Sequence, residues 1–171
     1  HESAVKSYTV APTECDEAWR GHLLCGEVHD ENAFALGRIA GHAGLFGTAG
    51  AVLAVSGLWV KACRGDESLL EMRWAQEFVR RADLAPGSSW ALGWDTPSVP
   101  SSSGRHFSSS SFGHLGFTGT SLWVDLDRGL EVVLLSNRVY PTRRNHKIQA
   151  FRPLIHDLVM ERWGLHKTTR V

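Results

Sequence analysis

Two runs of β-branched and aromatic residues, separated by a polar turn, form the most strongly patterned stretch of the sequence, residues 111–137. The first run covers residues 111–126, and the second, residues 131–136, is almost continuously apolar. The turn between them, Asp127-Arg128-Gly129, is typical of a β-hairpin. Because the second run has too few polar residues for a half-exposed edge strand, we expect it inside a sheet, covered on both faces.

Three glycines, Gly113, Gly116 and Gly119, interrupt the first run, which otherwise has the composition of a strand. Glycine weakens a strand, so each one needs a physical reason. One explanation is a bulged, twisted strand without a ligand. The other is that an extended substrate docks along the strand edge and approaches the backbone closely. The sequence alone favours neither explanation over the other.

Apolar residues at helical spacing predict two helices in the first half of the chain. Thr48 is the expected N-cap of a helix over 49–62, which is apolar enough to be buried on most sides. The glycine-rich segment 37–50 is expected to be a tight, buried turn that leads into it. A second helix is expected over 68–81, with Leu70, Trp74 and Phe78 as a stripe packed in the core.

A third helix is predicted in residues 144–164. Pro153 cannot lie in mid-helix without a kink, so the helix either begins near Arg152 or bends there. Gly164 is a natural stop. The face expected to be buried comprises Ile148, Phe151, Leu154, Ile155, Leu158, Val159 and Trp163.

The remaining segments are less regular. Residues 1–35 are expected to form an extended surface segment with short turns. Alternating Trp90, Leu92 and Trp94 predict a short strand. The serine-rich segment 96–111 is expected to be a mobile surface loop, with a role as a flap over the next strand as one option. Helices, a strand, a hairpin and a terminal helix together predict an α+β fold with an antiparallel sheet.

Composition narrows the functional classes. The chain has 171 residues, 43% of them hydrophobic and 21% charged, as is usual for one globular domain. Its zero net charge gives no electrostatic footprint for nucleic acid, and no apolar run is long enough to span a bilayer. Cys15, Cys25 and Cys63 lack the spacing of a zinc site and are interpreted as free thiols. The start at His1 suggests a cut end.

Candidate chemistry outside the central stretch is weak. Ser3-Ala-Val-Lys6 matches the Ser-x-x-Lys pattern of serine acyl-transfer enzymes, but the residues after it do not predict the helix that this pattern needs. His29 and Asp30 are adjacent, and adjacent side chains seldom face each other, so a loop-anchoring pair is favoured over a catalytic one. A metal-dependent hydrolase would draw on His29, Asp30, His42, His106 and His114, but their spacing matches no metal motif.

Several blocks of the sequence carry a family resemblance that covers nearly the whole chain. They are VAPTECDEAWRG, GEVHDENA, GHAGLFGTA, LGWDTPS and SFGHLGFTGTSLWVD followed by VVLLSNRV. These blocks resemble the serine β-lactamase and penicillin-binding-protein-like hydrolases, nearest to the bacterial class C-like hydrolases and esterases. The resemblance implies an antiparallel sheet with the N- and C-terminal helices on one face and an all-helical region on the other.

The resemblance also implies a set of catalytic motifs. The family uses Ser-x-x-Lys as nucleophile and activating amine, Tyr-x-Asn as proton shuttle, and Lys-Thr-Gly or His-x-Gly on a strand lining the pocket. Only the third is matched, by His114-Leu115-Gly116. By resemblance, His114 tunes the shuttle, Gly116 leaves room for the substrate, and the backbone N–H of Phe117 is one of two oxyanion-hole donors.

Three further residues of this block, Leu115, Thr118 and Gly119, are expected to contact the substrate. Leu115 departs from the usual Thr or Ser and removes a hydroxyl that would contact a substrate carboxylate. This departure favours esters or amides over carboxylate-bearing β-lactams and D-Ala peptides.

The unmatched motifs lead to a hypothesis about the whole chain. Residues 1–171 correspond to the C-terminal portion of such a domain, an incomplete fold without the nucleophile, and we expect it to be inactive alone. Its partners would be the N-terminal half or a second copy at the exposed sheet edge, and the parent's substrate an ester, amide or β-lactam; no cofactor is implied. The alternative is a non-catalytic binding module. The bacterial compartment, cytoplasm or periplasm, stays open.

Overall fold

The computed structural model of the chain describes residues 10–66, 68 and 70–165, so the Ser3-x-x-Lys6 pattern lies outside the described residues. Its helices and strands confirm the α+β class. In chain order they are β1 (Cys15–Asp16), β2 (His22–Leu23), α1 (Glu31–Ala35), α2 (Ala49–Cys63), α3 (Met72–Val79), β3 (Ser111–Leu115), β4 (Ser121–Asp125), β5 (Leu130–Leu134) and α4 (Ile148–Arg162).

The main sheet is antiparallel with strand order β3-β4-β5. The predicted hairpin at residues 127–129 joins β4 to β5, in the register Asp125 opposite Leu130. The prediction that residues 111–126 form one continuous run is wrong, because these residues fold into two strands, β3 and β4. Gly116 closes the turn between them by donating its N–H to the carbonyl of Thr120, 2.8 Å away. Gly119 adopts a φ of +121°, which side chains rarely permit.

The expectation that the second run lies inside the sheet is also wrong. This run forms β5, whose residues are all half-buried, and in the described parts of the chain no strand pairs with its outer side. One face of β5 packs against α2, where the hydroxyl of Ser56 donates a hydrogen bond to the Glu131 carboxylate. In the part of the chain that the structure describes, the apolar composition therefore belongs to an edge strand.

Helices lie on both faces of this sheet. Phe112 of β3 and Val124 of β4 face α2 and α3, and they form one hydrophobic cluster with Val60, Ala62, Cys63, Ala75 and Val79. Trp123 faces the other way and packs with Met160 of α4 and with Phe107. Alternation of side chains along β3 and β4 thus divides the core into two layers.

The first predicted helix is confirmed as α2. The Thr48 hydroxyl accepts a hydrogen bond from the backbone N–H of Ala51 at 3.2 Å, so the predicted N-cap is correct. Burial on most sides is wrong, because the side chain of Val55 is 61% exposed. The preceding turn is not buried either, since Leu45 is 92% exposed. Only one stripe of α2 touches the sheet.

The second predicted helix is shorter than expected. It begins at Met72 and ends at Val79, and its buried residues are Ala75 and Val79. Trp74 and Phe78 are half exposed, so the expected core stripe is wrong. The aromatic residues flank the contact face of α3 and do not form it.

The third helix, α4, begins at Ile148 and contains Pro153 in its second turn, so it does not start near Arg152. Gly164 ends it with a φ of +68°. The predicted buried face is largely wrong, because the residues packed inward are Ile148, Arg152, His156, Asp157 and Met160. Most of the predicted apolar face points outward, with Phe151, Leu154, Leu158 and Trp163 exposed.

Segment 96–110 contains no helix or strand, but it is not a surface flap. Ser103 and Phe107 are buried within it. The Ser108 N–H and hydroxyl donate hydrogen bonds to the Asp125 carboxylate, at 2.9 and 2.8 Å. The serine-rich composition of this segment therefore reflects serine groups that form buried hydrogen bonds. The expected strand at residues 90–94 is reduced to an isolated bridge between Trp90 and Asp95.

The N-terminal part is more structured than expected, because β1 pairs with β2 and α1 follows. Among the described residues, no helix is both long and apolar enough to cross a bilayer.

Candidate active site

His114 lies near the C-terminal end of β3, on the strand face that also carries Phe112 and looks toward α2 and α3. Its side chain is exposed. The Trp90 ring stands edge-on to the imidazole, with 5.6 Å between the ring centroids. The imidazole is therefore open to solvent beside one aromatic wall.

The glycines before and after His114 are required by packing within the protein. A side chain at Gly113 would overlap the Leu122 carbonyl and the Trp123 ring, and one at Gly116 would overlap the Thr120 hydroxyl. The sequence left open a bulged strand without a ligand and an extended substrate docked along the strand edge. The structure shows a continuous register through Gly113 and a close approach by groups of the protein itself, and substrate docking stays a prediction. The approaching groups belong to β4 and to the turn that follows β3.

Residues 116–120 form a rigid turn. Gly119 is buried, and its carbonyl accepts a hydrogen bond from the Ser136 hydroxyl at 2.6 Å. The Thr118 carbonyl accepts from the backbone N–H of Arg138 at 2.8 Å. Through these hydrogen bonds, the segment that follows β5 fixes the positions of Thr118 and Gly119.

Phe117 is the exposed tip of this turn. Its ring contacts the Arg138 guanidinium, 4.2 Å from the ring centroid, and the His29 imidazole, stacked at 5.6 Å. Its carbonyl accepts a hydrogen bond from Arg138 Nε at 2.8 Å. Within the described residues, no group accepts a hydrogen bond from the Phe117 N–H.

A buried polar cluster supports Phe117. His29 Nε2 lies 2.9 Å from Glu14 Oε2, and Arg143 donates to the same carboxylate through its backbone N–H and its Nε, at 2.9 and 2.6 Å. Arg143 also pairs with Glu31 at 2.7 Å. Burial would raise the pKa of Glu14, but the hydrogen bonds from Arg143 and His29 outweigh burial and lower it.

His29 and Asp30 serve separate structural roles, as the sequence favoured. Asp30 caps α1 by accepting from the Ala33 N–H at 2.8 Å, and it contacts His42 Nε2 at 3.0 Å. No local pattern indicates the cluster around His29, because Glu14 and Arg143 lie 129 residues apart. Only the folded chain brings them together.

One serine–histidine pair resembles a nucleophile and base, but it is structural. Ser121 Oγ lies 3.2 Å from His156 Nε2, and His156 Nδ1 lies 2.9 Å from the Ser102 carbonyl oxygen. Ser121 and His156 are almost fully buried, and burial lowers the pKa of His156. No substrate carbonyl can reach this hydroxyl. Elsewhere in the described residues, no serine hydroxyl is hydrogen-bonded to a lysine amine.

The histidines considered for a metal site do not come together. His29 pairs with Glu14, His42 with Asp30, and His106 lies 3.4 Å from Glu161. Across residues 10–66, 68 and 70–165, no group of three or more His, Cys, Asp or Glu residues could hold a metal ion.

Comparisons with known proteins identify the family of this chain. The family model described as Beta-lactamase matches residues 2–154. The chain is 35% identical over 124 residues to an N-acetylmuramyl-L-alanine amidase of Bacillus subtilis (strain 168), covering 70% of this chain and 28% of that protein. It is 29% identical over 133 residues to a putative D-alanyl-D-alanine carboxypeptidase of Salmonella agona (strain SL483), covering 75% of this chain and 31% of that protein.

The fold is also similar to a solved structure. A β-lactamase from Mycobacterium bovis superposes with a TM-score of 0.57 at 20% identity, covering 72% of this chain and 47% of that chain. The chain spans less than a third of the length of the two curated relatives. Since the family match extends over most of the sequence, the chain belongs to the β-lactamase family.

Proposed function

We propose that this chain is the C-terminal part of a serine hydrolase domain that cleaves amide, ester or β-lactam carbonyl groups through an acyl-serine. In this proposal the chain supplies the pocket wall, with His114 beside the substrate, and the nucleophile comes from the rest of the domain. The observation that supports the proposal is the backbone N–H of Phe117, three residues after the exposed His114, for which no acceptor is found among the described residues. Negative charge develops on a carbonyl oxygen during attack, and losing one such donor costs about 3 kcal/mol of barrier.

The substrate class follows from the relatives and from one side chain. An amidase and a D-Ala-D-Ala carboxypeptidase, as those relatives are named, both break amide bonds. Leu115 offers no hydroxyl for a substrate carboxylate, which favours uncharged esters or amides. Gly116, Thr118 and Gly119 would determine the shape of the turn that contacts the substrate.

The test of an incomplete site is intact-protein mass spectrometry after incubation with a fluorophosphonate and, separately, a penicillin. We expect no mass increase for the 171-residue chain, because the proposal assigns its nucleophile to another segment. A stoichiometric increase would overturn the fragment proposal, and peptide mapping would then begin at Ser3.

The complementary experiment adds the upstream segment from the same coding sequence. We expect labelling to return, and His114→Gln to reduce the acylation rate of the reconstituted protein about 100-fold, within the usual range for a group that assists proton transfer. His22→Gln is the matched control, because that imidazole is also exposed and lies on β2. Equal rates for the two variants would contradict a role for His114.

The partner of this chain would be that same upstream segment. The apolar residues Phe151, Leu154 and Leu158 form an exposed stripe on α4, and the outer edge of β5 has no paired strand among the described residues. Exposed apolar stripes and open edges are covered in stable proteins. The Mycobacterium bovis chain is about twice as long as the part of it that matches, so there is enough polypeptide in that fold to cover both.

Light scattering tests the partner proposal. Alone, the chain should self-associate at high concentration through these surfaces, and the upstream segment should convert it to a one-to-one complex. A clean monomer at high concentration would argue against exposed association surfaces. A dimer that the upstream segment leaves unchanged would favour the homodimer.

A further inference from the structure

Arg152 of α4 is a buried cation whose hydrogen bonds go to backbone carbonyls. The residue is only 6% exposed, and its Nη2 donates to the carbonyls of Gly116 and Thr120, at 2.7 and 2.8 Å. Its Nε has no hydrogen-bond partner among the described residues, and no carboxylate in that part of the chain pairs with the guanidinium. Burial, together with the nearby charge of Arg138, lowers the pKa of Arg152. An unpaired buried charge is unfavourable, so its presence needs an explanation.

The two carbonyls do not need this cation in order to be hydrogen-bonded. The Gly116 carbonyl also accepts from the backbone N–H of Gly119 at 3.1 Å, and the Thr120 carbonyl accepts from the backbone N–H of Gly116 at 2.8 Å. The backbone of the turn therefore closes it without help from α4. An apolar side chain in place of Arg152 would leave neither carbonyl without a donor. What Arg152 adds to the turn is a positive charge.

One of these carbonyls belongs to the same peptide group as the Phe117 N–H. The Gly116–Phe117 peptide is trans, so its C=O and N–H point in opposite directions. Since the Gly116 carbonyl points toward Arg152 on α4, the Phe117 N–H points away from α4. Helix α4 packs on the face of the sheet opposite to α2 and α3. The N–H is therefore directed toward the face that carries His114.

A charged donor on the carbonyl oxygen strengthens the N–H donor at the other end of the same peptide. Hydrogen bonds in a chain polarise one another, by about 10–30% for each bond. Charge-assisted hydrogen bonds are stronger than neutral ones, so the guanidinium polarises this peptide more than the Gly119 N–H does. When a serine oxygen attacks a substrate carbonyl carbon, the π electron pair of the C=O bond moves onto the carbonyl oxygen. A polarised N–H stabilises that oxygen as its negative charge develops.

We propose that Arg152 is a positioning residue for the oxyanion donor, because its guanidinium holds and polarises the peptide that carries the Phe117 N–H. The inference rests on the proposed function, in which this N–H is one of two donors to the oxyanion. Arg152 acts through the peptide and does not touch the substrate. Its unpaired charge is then retained for the transition state, at the expense of stability.

Nuclear magnetic resonance can observe this peptide alone, because Gly116-Phe117 is the only Gly-Phe pair in the sequence. Glycine labelled with ¹³C at the carbonyl and phenylalanine labelled with ¹⁵N therefore give a single HNCO peak from the 171-residue chain. In Arg152→Met, loss of polarisation should move the carbonyl ¹³C and the amide ¹H upfield. Arg152→Lys keeps the charge and should move them less. An unmoved peak in Arg152→Met overturns the proposal.

The control variant and a stability measurement complete this test. Arg105→Met makes the same substitution at an arginine that also bonds to α4, through Asp157, and it should leave the peak in place. Replacing an unpaired buried charge by an apolar side chain is often neutral or stabilising. The midpoint of urea denaturation of Arg152→Met should therefore equal or exceed that of the unmodified chain. An Arg152→Met chain that does not fold would show a structural role and overturn the proposal.

Sulfur in place of the substrate carbonyl oxygen separates positioning from loss of folded protein. Sulfur is a weak hydrogen-bond acceptor, so a thionoester gains little from an oxyanion donor. The chain is reconstituted with the upstream segment, and acylation by an ester and by its thionoester is followed in single turnovers. Arg152→Met should slow the ester about tenfold, less than the loss of a whole donor, and the thionoester less than about twofold. Arg152→Lys should restore most of the ester rate, and Arg105→Met should change neither rate.

The result distinguishes the positioning role from the acyl-transfer proposal. A fall in the ratio of ester to thionoester rates in Arg152→Met, and not in Arg105→Met, supports both. Equal slowing of the two substrates by Arg152→Met overturns the positioning role and leaves acyl transfer standing. If the unmodified reconstituted protein reacts with neither substrate, acyl transfer fails, and the positioning role fails with it.

Discussion

At the scale of single residues, buried carboxylates control how the chain responds to acid. Asp125 is fully buried and accepts hydrogen bonds from Ser108 and Arg128. Burial would raise the pKa of Asp125, but these hydrogen bonds outweigh it, and the pKa lies below its ordinary value of 3.8. The pKa of Glu14 is lowered in the same way from 4.5.

A carboxylate whose pKa is lowered by folding stabilises the fold above its unfolded pKa, and this contribution is lost as the pH falls through the folded pKa. We therefore expect the free energy of unfolding, measured by urea denaturation, to decrease as the pH drops below about 4.5. Asp125→Asn should cost about 3 kcal/mol at pH 7 and flatten the acid limb. Asp127→Asn, at an exposed position in the adjacent turn, is the control. An acid limb of unchanged slope in Asp125→Asn would contradict this assignment.

Gly113 gives a second prediction at this scale. A Cβ there would meet both the Leu122 carbonyl and the Trp123 ring, and neither can move without disturbing β4. Gly113→Ala should therefore lower the free energy of unfolding by about 3 kcal/mol or prevent folding. Gly41→Ala adds the same methyl group where no atom lies within 4 Å, and should be nearly neutral. Equal stability of the two variants would show that the sheet relaxes at this point.

Residue-level prediction from the sequence succeeded where the cause is local. The Thr48 cap and the stop at Gly164 depend on a few neighbouring residues, and both were found. The contact of Glu14 with Arg143 depends on the folded chain, and no local pattern encodes it. His114 was found only because the surrounding block resembles a known motif.

At the scale of elements, hydrophobic periodicity located the helices but assigned the wrong faces. On α4 most of the predicted apolar face points outward, while the inward positions carry Arg152, His156 and Asp157 beside Ile148 and Met160. The pattern indicates which face of a helix is apolar. It does not indicate whether another part of the chain covers that face. For α4, no part of the described chain covers it.

Alanine substitutions at one inward and one outward position of α4 measure the difference in burial between its two faces. Met160 is fully buried against Trp123, so Met160→Ala should lower the free energy of unfolding by about 3 kcal/mol. Leu158 is 50% exposed, so Leu158→Ala should cost less than about 1 kcal/mol in the isolated chain. Thermal or urea denaturation of both variants checks the ranking. A larger loss for Leu158→Ala would mean that the apolar face is covered in solution.

At the scale of the whole molecule, the α+β class was predictable from the order of elements, but the boundary of the sheet was not. The second apolar run has the composition of an interior strand, and among the described residues it lies at an edge of the sheet. An interior composition on such a strand favours the proposal that further strands pair with this sheet. The length of the relatives agrees with this explanation, because each is at least twice as long as the part that matches.

The inward face of α4 includes three polar residues, and their hydrogen bonds fix the angle of the helix about its own axis. Arg152 bonds to the β3–β4 turn, His156 contacts Ser102 and Ser121, and Asp157 accepts from the N–H and Nε of Arg105. Hydrogen bonds are directional, so turning the helix by one residue would break them together. The outward apolar stripe is thus preorganised, and a surface that docks against it loses little conformational entropy on the side of this chain.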